Sequence, residues 1–135
     1  MNLGAFKPQL ILLHAPTVYD FRKYPLMFGP IADGVPSTPL FEMYPIGFFS
    51  MLEHLERNRI GVRIINLAVR MLSSDNFDAE KLIRRLNPKA FGIDLHWLPH
   101  AQGSLEVAKI CKKYHPGIPV IFGGFSATYF YEELI

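Results

Sequence analysis

Cysteine is nearly missing: Cys111 is the only one in the chain. A lone thiol excludes an internal disulfide and any Cys-rich zinc or iron–sulfur site within these residues, and it fits a reducing cytoplasm. An excess of one charge is missing too. Fourteen Lys+Arg stand against twelve Asp+Glu, for a formal net charge of +2. The basic residues, Arg57, Arg59, Arg63, Arg84, Arg85, Lys112 and Lys113 among them, are dispersed instead of forming a stripe. Nucleic acid is therefore not the expected partner. The apolar run within MNLGAFKPQLILLHAP is too short to span a membrane, and the residues after it do not read as a processed signal peptide. Paired catalytic carboxylates, a Ser-His-Asp order and a nucleophile elbow are absent, and the five methionines are scattered. The expectation is a soluble cytoplasmic domain with no membrane or nucleic-acid partner.

What is present is apolar and alternating. Half of the 135 residues are hydrophobic, enough for one domain, 1–135, with a real core. Gln9 to His14 (QLILLH) reads as a strand buried on both faces. From Pro45 to Arg59 a helix is predicted, with Pro45 in its first turn and Phe48, Phe49, Leu52 and Leu55 recurring on one face. Gly61 ends it, and VRIINL (Val62 to Leu67) is the second strand. Asp78 caps AEKLIRRL, which stops before Asn87-Pro88. AFGIDLHW (Ala90 to Trp97) is the third strand, and His100 to Tyr114 a helix closed by HPGIP. PVIFGG is the fourth strand, and a further helix begins at Ala127.

Strands and helices that alternate without hairpin turns imply parallel strands joined by right-handed crossovers. The predicted fold is α/β: a doubly wound, flavodoxin-like or Rossmann-like sheet of order about 2-1-3-4 with helices on both faces. In such sheets ligands bind beyond the carboxyl ends of the strands, where the strand order reverses. That rule selects His14, Ala15 and Pro16 after the first strand, Asp94, Leu95, His96 and Trp97 after the third, and Gly123, Gly124, Phe125 and Ser126 after the fourth. The phosphate-binding GxGxxG of a dinucleotide fold belongs after the first strand, where this chain has HAPTVYDF. A receiver-like domain needs an acidic pair there, and Leu12, Leu13 and His14 stand in its place.

Two irregularities remain. Thr17 to Tyr44 has no sustained period and carries Tyr19, Phe21, Tyr24, Phe28, Phe41 and Tyr44, so it is expected to pack across the ligand edge or against a partner. EELI ends in mid-helix with no fifth strand to cover the far edge, which reads as the N-terminal piece of a longer chain.

The succession ILLHAPTVYD, YPIGFFSMLEHLERNRIGVRIINLA, NPKAFGIDLHW and HPGIPVIFGGFSATYF resembles the N-terminal cobalamin-binding domain of cobalamin-dependent radical SAM proteins. That family enters its first helix through Tyr-Pro-x-Gly, here Tyr44 to Gly47, and ends a later strand in Gly-Gly-x-x-Ala/Thr, here Gly123 to Ala127. The resemblance covers nearly the whole chain and implies a cobalamin site at His14, Ala15, Pro16, Pro45, Gly47, Asp94, Leu95, His96, Gly123, Gly124, Phe125 and Ser126. Gly123 and Gly124 leave room for the nucleotide tail, and Ser126 and Thr128 can donate to its phosphate or ribose. Relatives that hold cobalt through an imidazole carry Asp-x-His-x-x-Gly in the first loop. Here Leu12 stands two residues before His14, which implies cobalamin without a protein lower ligand.

Asp94 departs from the small Ser or Thr usual at its place, and a carboxylate there accepts from hydroxyls but repels phosphate. His96 and His100 have a metal spacing that Pro99 and strand geometry spoil, so with Trp97 they are expected to line the ring edge or to face the next domain. The resemblance also implies a downstream radical SAM domain holding the iron–sulfur cluster and S-adenosylmethionine, since the three-cysteine motif is missing here. The fragment alone would bind without turnover. The alternatives are a nucleotide- or phosphate-binding module and a protein-interaction domain on the same scaffold.

Overall fold

The computed structural model describes residues 7–23 and 45–134. Four strands, β1 (Leu10–His14), β2 (Val62–Asn66), β3 (Ala90–Asp94) and β4 (Val120–Gly123), form one parallel sheet in the order β2-β1-β3-β4. This is the doubly wound α/β architecture that the alternation requires. β1 and β3 are central, each paired with a strand on either side, and their residues are apolar at nearly every position.

The period of two in β1 divides the core. Ile11 and Leu13, with Ile65, Phe91 and Ile93, face α3 (Ala79–Arg84) and α4 (Ala101–Tyr114), where Ile83, Val107 and Cys111 complete the larger cluster. Leu12 points the other way and meets Val62 and Phe48 under α1 (Ile46–Arg57), whose Leu52 and Leu55 border that cluster. Cys111 is fully buried, and burial pushes its thiol up to about 12. It is an inert core residue, as its apolar helix face suggests.

Asp78 caps α3 as expected, its Oδ1 accepting from the Lys81 N–H at 2.8 Å. Three boundaries differ from the sequence reading. β2 stops at Asn66, whose side chain accepts from the Val69 N–H at 2.9 Å and so opens α2 (Leu67–Ser73). That helix was hidden because its first apolar residues, Leu67 and Ala68, continue the apolar run of the strand. β3 ends at Asp94, because its neighbour β4 ends at Gly123, the residue paired with it. A 3₁₀ turn, Leu98–His100, then leads into α4. After β4 the helix begins two residues early, as α5 (Phe125–Tyr129) followed by α6 (Tyr131–Leu134).

In its described part, residues 17–23, the segment after β1 packs against the core and the first turn of α4. Tyr19 packs on the larger core cluster and Phe21 is buried in a 3₁₀ turn, Phe21–Lys23. Arg22 pairs with the Asp20 carboxylate at 2.7 Å and donates to the carbonyls of Ser74, Asp75 and Phe77. Those bonds fasten the segment to the α2–α3 connection. Tyr24, Phe28, Phe41 and Tyr44 lie outside the described residues. Among the described residues, no helix is long and apolar enough to cross a membrane.

Candidate functional site

The carboxyl ends of β1, β3 and β4 converge on a cavity of about 500 Å³, closed on one side by the first turns of α1. Its walls are mostly apolar. Ile46, Phe48 and Met51 come from α1, and Trp97 from the turn after β3. Phe48 also belongs to the smaller core cluster, so this wall is anchored to the sheet.

The polar groups gather at the strand ends. One step beyond the last β1–β3 pair, Leu13 and Ile93, His14 and Asp94 stand side by side. The Nδ1–H of His14 donates to Asp94 Oδ2 at 2.5 Å, since a carboxylate facing an imidazole nitrogen takes the acceptor role. The His14 side chain is 2% exposed and that of Asp94 18%, so the imidazole is a buried prop for a carboxylate that reaches the cavity. Ser104 in α4 donates its hydroxyl to the Asp94 backbone carbonyl at 2.8 Å and fixes the strand end from the other side. His100 lies with its ring centroid 5.7 Å from that of His14. At the mouth His96 is flanked by Trp97 and Phe125, at centroid distances of 5.2 and 4.9 Å.

Glycine supplies the open faces. A Cβ built on Gly123 or on Gly47 would meet nothing within 4 Å, so both positions border free space in the cavity wall. Gly124 is different. Its φ is +112°, and a Cβ there would lie 2.7 Å from the Cα of His96 and 2.9 Å from the carbonyl oxygen of Leu95. It is the turn residue that lets α5 begin against the loop after β3.

Of the twelve residues expected at a ligand site, seven line the cavity: His14, Pro45, Gly47, Asp94, His96, Gly123 and Gly124. Ala15, Pro16 and Leu95 are buried without lining it. Pro16 serves another contact, because its carbonyl occupies the place where a Cβ on Gly103 of α4 would fall. Phe125 is 74% exposed and stands outside the cavity beside His96. The hydroxyls of Ser126 and Thr128, expected to meet phosphate or ribose, donate instead to the carbonyls of His96 and Gly124, at 3.2 and 3.0 Å. Trp97 and His100 also line the cavity. Ile46, Phe48 and Met51 were not anticipated as site residues. Their one signal is an apolar first turn, directly after Pro45, that is wider than the core face of the helix needs. Among the described residues, no group of three or more His, Cys, Asp or Glu is placed to hold a metal ion.

Comparison with known families adds one match. The family model for the B12 binding domain fits residues 34–135, which include every cavity-lining residue except His14. No curated protein and no solved structure matches the chain. The matched stretch covers most of the sequence and contains β2 to β4, α1 and the Gly123-Gly124 turn. On that match, and with a parallel 2-1-3-4 sheet whose carboxyl edge opens into an apolar cavity, the chain belongs to the B12-binding domain family.

Proposed function

We propose that this chain binds cobalamin at the carboxyl edge of its sheet, takes the nucleotide arm into the cavity, and presents the corrin to a radical SAM domain downstream in the same polypeptide. The observation that carries the reading is the cavity itself, which is apolar, bordered by bare backbone at Gly123 and Gly47, and built at the strand ends of a B12-binding domain. Its volume of about 500 Å³ lies in the range of about 300–1,000 Å³ usual for a single organic ligand. A base, ribose and phosphate are of that size, whereas a corrin with all its amide side chains is larger.

The residues present suit such a guest. Ile46, Phe48 and Met51 offer apolar surface to a flat base, and Gly47 and Gly123 leave the width it needs. Trp97 and His96 at the mouth offer aromatic surface to whatever stays outside. Bound cobalamin would supply a carbon–cobalt bond for methyl transfer or for other radical chemistry. The chain's own part is to bind, orient and exclude water. Iron–sulfur and S-adenosylmethionine chemistry falls to the downstream domain, a division that the single buried cysteine and the radical SAM resemblance support. A further strand beside β4 and a cytoplasmic location belong to the same reading.

The test is direct. The chain is mixed with hydroxocobalamin or methylcobalamin and desalted, and its visible spectrum is recorded. Retained corrin absorbance is expected for the parent chain, and its loss for Gly123→Trp, which places a large ring in the cavity from a position where an added Cβ meets no atom within 4 Å. Absence of corrin from the parent chain overturns the proposal, and equal retention by Gly123→Trp removes the cavity from it.

A further inference from the structure

We infer that Asp94 reads a hydrogen-bond donor on the buried nucleotide arm, and so decides which arms the cavity accepts. The inference rests on the cobalamin reading above and specifies the chemistry of its ligand.

Among the described residues, Asp94 is the one carboxylate in a wall that is otherwise apolar, imidazole or bare backbone. Its Oδ2 is occupied by the His14 Nδ1–H. Its Oδ1 accepts no hydrogen bond from any described residue, although a carboxylate has about four acceptor positions in all. His14, almost wholly buried, holds the carboxylate in one orientation and is thus a positioning residue. A guest that displaces water from this corner must replace the lost hydrogen bond. Only an N–H or O–H group does so, because a phosphate oxygen brings like charge and no proton.

The phosphate of the arm therefore lies away from the β1–β3 corner, and the group facing Asp94 is a donor. Two parts of the nucleotide itself, which cobinamide lacks, supply one: a ribose hydroxyl, or an exocyclic amine on the base. Dimethylbenzimidazole has no exocyclic amine, and adenine has one. A site built around a buried acceptor rejects the analogue that lacks the donor more strongly than an apolar pocket rejects a missing methyl.

The experiment measures dissociation constants for three probes: adeninylcobamide, the dimethylbenzimidazolyl cobamide, and cobinamide, which has no nucleotide arm. The chain, Asp94→Ala and Asp94→Asn are compared, with thermal unfolding as the check on folding. If the donor is the base amine, the parent chain prefers adeninylcobamide, and Asp94→Ala weakens that ligand alone by about tenfold to a hundredfold. If the donor is the ribose hydroxyl, Asp94→Ala weakens both arm-bearing ligands by that factor and spares cobinamide. Either pattern supports the inference. Should Asp94→Ala unfold, Asp94→Asn decides, since it keeps the shape and removes the charge. Unchanged or tighter binding of the arm-bearing ligands overturns the inference, as does an equal loss for all three probes. Failure of the parent chain to bind any probe removes the cobalamin reading and this inference together. Retained parent binding with an indifferent Asp94 removes only this one.

Discussion

Gly123 and Gly124 are neighbours under opposite constraints. At Gly123 an added Cβ touches nothing within 4 Å, whereas at Gly124 it collides with the backbone of His96 and Leu95 in a conformation of φ +112°. Gly124→Ala is therefore expected to cost about 2–3 kcal/mol from left-handed strain and overpacking. Gly123→Ala should stay within about 0.5 kcal/mol of the parent. Urea denaturation of the two variants checks this, and equal costs would mean that the turn is not held as described. The pair was legible in the sequence as glycine at a strand end, but its division of labour was not. Two identical residues carry no mark of which one faces the cavity and which one packs. The reverse holds for Asp94 and His14. Both were named at the carboxyl edge, yet the hydrogen bond between them joins residues on different strands and required the β1–β3 register to appear.

Elements are joined by contacts of the same hidden kind. Arg22 ties the segment after β1 to the α2–α3 connection through the Asp20 carboxylate and three carbonyls. Removing the guanidinium takes the charged partner from the mostly buried Asp20 carboxylate, which keeps the backbone N–H of residue 22, and one donor from each of those carbonyls, so Arg22→Ala is expected to cost about 2–3 kcal/mol. The pair also has a pH signature. The Arg22 hydrogen bond holds the Asp20 carboxyl below its ordinary value of 3.8. A carboxyl depressed in the folded state contributes stability that is present above that ordinary value and is lost as pH falls through the lower folded one. Acid unfolding of the parent chain should therefore steepen below about pH 4, and Arg22→Ala should lack that part of the decline. Chemical denaturation at stepped pH measures it, and parallel curves for the two proteins would discount the ion pair. Local signals served well for elements that end in caps or turns, such as Asp78 before α3 and HPGIP after α4. They failed at α2, where Asn66 both ends a strand and caps a helix, so the apolar run crosses the boundary without a break.

Among the described residues, the sheet, whose order the alternation of strands and helices already implied, is covered unevenly on its two faces. α1 covers Leu12 and Val62 on one face, but the same row continues through Gly92 to Ile121 on β4, and Ile121 is 56% exposed. Among the described residues, β4 is paired on one side only, with β3. A strand with free N–H and C=O groups and an uncovered apolar side chain is a template for another chain. The 135-residue chain in isolation is expected to associate reversibly as its concentration rises. Ile121→Lys should suppress that association, because a charge at the edge opposes pairing. At an exposed position its effect on stability should stay within about 0.5 kcal/mol. Sedimentation velocity over a concentration series distinguishes the cases, and association unaffected by Ile121→Lys would move the contact off β4. The substitution also separates edge from site. Ile121 does not line the cavity, whereas Gly123 at the end of the same strand does, so Ile121→Lys should retain corrin at the parent level while Gly123→Trp loses it. If both variants lose it, the cavity owes its shape to the association of two chains.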